Sequence, residues 1–268
     1  MRLKVTHHTV YNYSHPVGFV VQSLRLTPSA HEGQRVGEWS IDVTGGERGA
    51  AFRDGAGDWI EAWTVRGPVE EVTVTISGLI ETRDTAGVLR GHREQVNPLV
   101  YLRGTDLTKP DDALRELAHS VKGEDALDLA HKLAAAVSEA IEYVPGVTET
   151  VTTAAEALAL GQGVCQDHAH ALIACAHVHG LPARYVSGYL HSNADGSPHD
   201  AAHAWAELHV GSLGWVGFDA ANACCPDDRY VRLGSGYDAP DAAPVRGTTF
   251  GSGEESLDVR VQVEEMEQ

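Results

Sequence analysis

Cysteine is scarce, with four in 268 residues: Cys165, Cys175, Cys224 and Cys225. Too few and too clustered to staple a chain of this length, they exclude a disulfide framework. Adjacent cysteines rarely reach disulfide geometry, so Cys224 and Cys225 read as packing or as an incidental exposed pair. Long apolar runs are missing as well. No window approaches the roughly 18 apolar residues of a membrane span, and the opening "MRLKVTHHTVYNYSHPV" lacks the unbroken apolar stretch of a secretion signal. The expectation is a soluble, cytoplasmic protein. Positive charge is in deficit: 20 Lys and Arg against 38 Asp and Glu leave a net charge of −18. Such a surface repels phosphate backbones and anionic lipid, so neither nucleic acid nor a membrane is expected as a partner. The acidity itself reads as solubility.

Apolar content is ample. At 43% hydrophobic residues the chain can bury a sizeable core, and its length suggests about two domains. Residues 1 to about 95 read as β: "LKVTHHTVY", "WSIDVT", "WIEAWTV" and "VTVTISGLIET" are separated by glycine-rich turns. Val72, Val74 and Ile76 alternate with Thr73, Thr75 and Ser77, the period of a sheet with one buried face. His7 and His8 are neighbours on a strand, so they face opposite ways and read as structural. From about 110 the period becomes helical in "PDDALRELAHSV" and "DALDLAHKLAAAVSEAIEY", where Leu129, Leu133, Val137 and Ile141 share a face. Thr153-Ala-Ala-Glu156 fits a capping box for a short helix that Gly161 stops. Three strand-like runs follow at 183–190, 202–210 and 215–220. The tail from 234 to 256 reads as irregular, and "LDVRVQVEE" as a last strand in need of a sheet.

The stretch "GQGVCQDHAHALIACAHVHG" delivers Cys165 from a turn into the start of a helix. Unpaired amides and the positive dipole end there favour a thiolate, and the same amides can hold the oxyanion formed when it attacks a carbonyl. Cys175, mid-helix among alanines, reads as a small buried hydrophobe. A base is available in His203, at the start of "HAWAELHV" with Trp205 and Glu207 on its face. If the hairpin turns through Gly211–Gly214 with an odd loop count or one bulge, Asp219 falls opposite Trp205 and diagonal to His203. An acid so placed would fix the imidazole's tautomer and orientation. Tyr143 is the candidate second oxyanion donor, against the plain role of an aromatic closing a helix end.

A metal site fares worse. No two of His168, His170, His177 and His179 are three or four residues apart, and the pairs Cys165/His168 and Cys175/His179 lack a completing carboxylate; His199 precedes His203 by four. "SNADGSPHD" lacks the full ligand ladder and the closing glutamate of a calcium loop and reads as an interstrand loop. Neither metal nor cofactor is expected.

The words "TTAAEALALGQGVCQDHAHALIACAHVHGLPARYVSGYL", "HAWAELHVGSLGWVGFDAAN" and "APVRGT", with "VTHHTVYNYSHPV" and "LRLTPS" near the start, resemble the bacterial transglutaminase-like superfamily in the branch with a β-rich N-terminal domain. The resemblance implies an α+β fold: a papain-like, transglutaminase-like core of helices packed on an antiparallel sheet, plus the N-terminal β domain. It divides the chain into residues 1–98, a core at 99–250, and 251–268 returning as a strand to the N-terminal part. It implies Cys165 as nucleophile, His203 as base and Asp219 as orienting acid. Where many relatives read Asp-Pro-Thr-Asn, this chain has Asp219-Ala-Ala-Asn222, which alters the loop but keeps the acid. The calcium dependence of animal relatives is not carried over. The function expected is cysteine-dependent acyl transfer from a peptide or protein amide through a thioester. Hydrolysis by a protease or amidase is favoured, because the branch is described as cysteine proteases and water is the abundant acceptor. The alternatives are a transglutaminase with an amine acceptor and a catalytically silent binding protein, the latter resting on the lost proline and threonine. The sequence carries no signal of oligomeric state.

Overall fold

The computed structural model describes residues 1–191 and 202–266; "SNADGSPHD" and His199 lie outside the described residues. The first 82 residues build most of an antiparallel sheet from β1 (Arg2–Thr27), β2 (Gln34–Val43), β3 (Gly46–Arg53) and β4 (Trp59–Thr82). β1 and β4 pair from Arg2↔Glu81 to Thr27↔Trp59 through bulges near Asn12, Val17 and Leu24. Of the four runs seen in the sequence, the first is part of β1, "WSIDVT" lies in β2 up to Val43, and the last two are parts of the single long strand β4. Val72, Val74 and Ile76 are fully buried, while Thr73 and Thr75 are half-buried and Ser77 is exposed, as the alternation requires. β3 escaped notice because nearly every residue in it is exposed, which leaves no alternation to read.

The middle of the chain holds α1 (Asp112–Ser120), α2 (Ala126–Ala140), β5 (Glu142–Tyr143), α3 (Ala154–Leu160), β6 (Gln162–Gly163) and α4 (Cys165–Val178). Side-chain caps start the first three helices: Asp111 accepts from the Leu114 amide, Asp125 from Leu127 and Asp128, and Thr153 with Glu156 closes a capping box. Gly161, at φ 68°, ends α3 in the left-handed region that favours glycine. From Asp167 through Ala176 every residue of α4 is buried, so this helix is the core of its unit and not a covering layer. Its alanines let α1, α2 and α3 approach one side. The other lies on Ala204, Ala206 and Leu208.

Those residues belong to a second sheet of β7 (Ala183–Leu190), β8 (Ala202–Val210), β9 (Gly214–Phe218) and β10 (Tyr230–Gly236), in the order β10-β7-β8-β9. The structure corrects the reading of the C-terminal region. β10 is a strand buried throughout, and β11 (Val245–Phe250) and β12 (Glu255–Glu265) both pair with β1. The last six residues of the 99–250 span therefore join the N-terminal sheet, and "LDVRVQVEE" joins it beside them. β10 is obscure in sequence because Arg232 and Ser235 interrupt its apolar residues.

Both are spent internally. Arg232 binds Glu207 of β8 (Nε to Oε1, 2.8 Å) and Asp58 of the N-terminal sheet's last turn (2.9 Å), and Ser235 donates its amide to Asp58. Arg184 of β7 completes the chain of charges to Glu207 (2.7 Å) and Glu94 (2.6 Å), with its guanidinium 4.0 Å from the Trp215 ring centroid. This ionic web ties the two sheets together across one side. On the other, Tyr189, Val231 and Leu233 share an apolar core with Leu3, Val5 and Ile76.

Candidate active site

Three elements converge on one point. α4 opens with Cys165 as its first residue, after Val164 in extended conformation. The turn before it is pinned twice: β6 pairs in parallel with β5, setting Tyr143 beside Gly163, and the ring nitrogens of His168 lie 2.9 Å from the carbonyl oxygens of Val164 and Ile141. Asp167, buried in the first turn, accepts from the Val164 amide (2.8 Å) and from the Thr148 hydroxyl (2.7 Å). The amides of Asp167 and His168 are taken by the Val164 carbonyl. Cys165 and Gln166 are the first two residues of α4, the positions whose amides have no partner within the helix itself. Tyr143 is exposed, with its ring centroid 6.3 Å from that of His168.

β8 supplies His203. The β8–β9 hairpin turns through a short 3-10 segment, Gly211–Leu213, and pairs Val210↔Gly214 through Ala206↔Phe218. The three-residue loop is odd, and one further step of this register sets Asp219 opposite Trp205. His203 Nε2 lies 2.6 Å from Asp219 Oδ2, and the imidazole also lies in hydrogen-bond reach of the Cys165 thiol. The structure thus brings together Cys165, His203 and Asp219. Burial alone would strip the proton from His203; the hydrogen bonds to Asp219 and Cys165, and their charges, outweigh it and push the imidazole up to about 10.

Asp219 is anchored more heavily than an orienting acid needs for one imidazole. Oδ1 accepts from the amides of Ala221 (3.0 Å) and Asn222 (3.2 Å); Oδ2 accepts from His203, from Asn222 Nδ2 (2.7 Å) and from the Tyr230 hydroxyl (2.8 Å). Burial opposes its charge, but these donors and the imidazolium hold its carboxyl below the usual range. The same bonds explain how Asp219-Ala-Ala-Asn222 keeps its turn without proline or threonine: the carboxylate caps the loop, and Asp219 and Cys224 exchange backbone hydrogen bonds. Tyr230 packs edge-on against Trp205, centroids 5.5 Å apart, and its hydroxyl lies 3.3 Å from Cys224 Sγ. Cys224 is therefore part of the wall behind Asp219 and not an incidental exposed thiol. Tyr230 gives no signal in the sequence because β10 mixes polar and apolar residues without alternation, and Asn222 shows there only as the end of the altered loop.

The remaining histidines of α4, and His179 at its C-cap, serve the backbone of their neighbours. His170 accepts from the Ala239 amide, His177 donates to the Tyr101 carbonyl and His179 to that of Ala118. His7 is likewise structural, 2.7 Å from the Tyr189 hydroxyl and 2.8 Å from that of Thr9. Cys175 is fully buried, and burial pushes its thiol up to about 12. Glu207, two residues beyond Trp205 on the face of His203, belongs to the ionic web and not to this site.

Two sequence families match the chain: the bacterial transglutaminase-like N-terminal region over residues 3–81 and the transglutaminase-like superfamily core over 115–220. An uncharacterized protein of Mycobacterium leprae is 29% identical over 98% of each chain, and one of Mycobacterium tuberculosis is 32% identical over 98% of this chain and 92% of its own. Among solved structures, a "Putative Cysteine Protease" from Cytophaga hutchinsonii superposes with a TM-score of 0.74, at 21% identity, over all of this chain and 92% of that one. That likeness is one of fold. The chain belongs to the transglutaminase-like superfamily and carries the superfamily's bacterial N-terminal region ahead of its core.

Proposed function

We propose that this protein is a cysteine-dependent acyl-transfer enzyme that hydrolyses an amide or peptide bond. The observation that supports this is His203, hydrogen-bonded to Asp219 (2.6 Å) and electrostatically coupled to the Cys165 thiol that opens α4. In this reading His203 takes the thiol proton and the sulfur attacks the substrate carbonyl. The oxyanion of the tetrahedral intermediate faces the amides of Cys165 and Gln166. The intermediate collapses to a thioester as the amine leaves with the proton from His203. A water molecule, deprotonated by the same imidazole, then attacks the thioester, and the thiol leaves with the carboxylic acid as product. Asp219, charged throughout, holds the ring and stabilises its imidazolium form.

The test is turnover of a glutamine-containing peptide library by wild type and by Cys165→Ala, with products resolved by mass. Cleaved or deamidated peptides that vanish in the variant support hydrolysis. Incorporation of an added amine in place of those products would assign amine transfer instead. Turnover unchanged in Cys165→Ala would sink the proposal.

A further inference from the structure

β1 bends between Asn12 and Phe19, where its register with β4 shifts. Two strands pair with its other edge on either side of the bend: β12 along Leu3–Tyr13 and β11 along Phe19–Leu24. A cleft of about 420 Å³ opens between them, lined by Tyr11, Tyr13, Val20, Gln22, Thr249 and Glu255 among others. Cross-strand register sets Tyr13 opposite Glu255, Val20 opposite Thr249 and Gln22 opposite Gly247. The bulges in the bend switch the parity of β1, so that odd residues before it and even residues after it share this face.

The floor of the cleft is polar and buried. Tyr13 is 6% and Gln22 2% exposed; the Tyr13 phenol lies against the Glu255 carboxylate, while Gln22 Oε1 is buried without a hydrogen-bond partner among the described residues. A buried polar atom left unpaired costs about 1–3 kcal/mol, and folded proteins keep few of them. The lining carries one formal charge, the carboxylate of Glu255, and no cation. Burial, and after it that carboxylate, pushes the Tyr13 phenol up to about 12 and raises Tyr11 as well.

A ligand for this cleft must donate hydrogen bonds, carry positive charge and present apolar surface to two tyrosine rings. We propose that it binds an organic cation, a primary ammonium or a guanidinium, with its charge on Glu255, an N–H on Gln22 Oε1 and its alkyl stem against Tyr11 and Tyr13. The ring faces attract a cation by their quadrupole, and the net charge of −18 raises its local concentration. The site lies on the N-terminal sheet and does not depend on the chemistry proposed for Cys165.

The test is an NMR titration of the full chain with agmatine and cadaverine at low salt, with 1,5-pentanediol as the uncharged control and Nα-acetyl-lysine amide as a side-chain mimic. Saturable shifts are expected at the Gln22 side-chain amide, Gly247 and Thr249, with a Kd of about 1 mM or tighter for at least one cation. Glu255→Gln should weaken it at least tenfold, and Gln22→Leu at least threefold. Glu255 is on an exposed strand position, so its variant carries the test if Gln22→Leu fails to fold. Comparable binding of the lysine mimic assigns the site to side chains of a protein partner; its exclusion assigns it to free amines. No shift with either cation, equal shifts with the diol, or an unchanged Kd in Glu255→Gln would overturn the proposal.

Discussion

At the scale of single residues the site separates one thiol from three. Burial raises Cys175 to about 12 and Cys225 to about 11, and it raises Cys224 against the hydrogen bond from Tyr230. Cys165 alone stands at a helix start beside an imidazole. Brief iodoacetamide treatment near neutral pH, read by peptide mass, should therefore label Cys165 at least tenfold faster than any other cysteine; equal labelling of Cys175 would deny it special reactivity. The bonds to Asp219 give a second expectation with opposite signs in two variants. Its carboxylate helps lift His203 to about 10, so peptide turnover should fall on the alkaline side as His203 loses the proton owed to the leaving amine. Asp219→Asn removes the charge: the limb should move to lower pH and turnover drop about 10²–10⁴-fold. Tyr230→Phe removes a donor that draws charge away from the imidazole. Its limb should move upward, with a loss of activity below tenfold. A purely structural tyrosine would lower the melting temperature and leave the limb in place.

Elements show how much could be read without coordinates. α3 was legible to the residue, because a capping box and a left-handed glycine are local chemistry written in four or five letters. The helix start at Cys165 and the hairpin parity that aligns Asp219 with Trp205 could be read only as conditions, on the turn before the helix and on an odd loop count or one bulge; the structure supplies both. What could not be read has two causes: β10 and β11 owe their existence to partners far away in sequence, and β3, though it pairs with the neighbouring β4, exposes nearly every residue. β10 puts an arginine and a serine where apolar residues would be expected, because Asp58 and Glu207 wait for them; β11 and β3 are exposed edge strands with no alternation. Tyr230 is hidden with β10, and the bonds of Asn222 and Tyr230 to Asp219 have no signature in the sequence. The legible element also yields the cleaner experiment. Thr153→Ala opens the capping box, in which Glu156 also accepts from the Thr153 amide and hydroxyl. It should cost about 1 kcal/mol, or roughly 2–4 °C in melting temperature for a chain of this size. A loss under a few tenths of a kcal/mol would mean that packing, not the cap, holds α3.

For the whole molecule the question is what makes two sheets one protein, and the ionic web gives an answer that pH can address. Glu207 is buried between Arg184 and Arg232. Burial by itself would raise its carboxyl, but the two guanidinium charges and their hydrogen bonds prevail and hold it well below its ordinary 4.5. A carboxyl depressed by folding stabilises the folded state fully above its unfolded value and loses that contribution as pH falls below it. The wild-type melting temperature should thus decline steadily from about pH 5 downward, the range that begins just above the unfolded value. Glu207→Gln removes the titrating group and leaves two buried cations short of a counter-charge, which should cost about 3–5 kcal/mol near neutral pH. Its melting curve should also be flatter than that of wild type between pH 5 and 3, because one acid-labile contribution is gone. Cys165 alkylation, measured on the folded variant, should be within about twofold of wild type, since Glu207 touches neither Cys165 nor His203 and acts on them only through the fold. Parallel declines in melting temperature for the two proteins would show that the acid sensitivity resides in other carboxylates and that the web is not what couples the sheets.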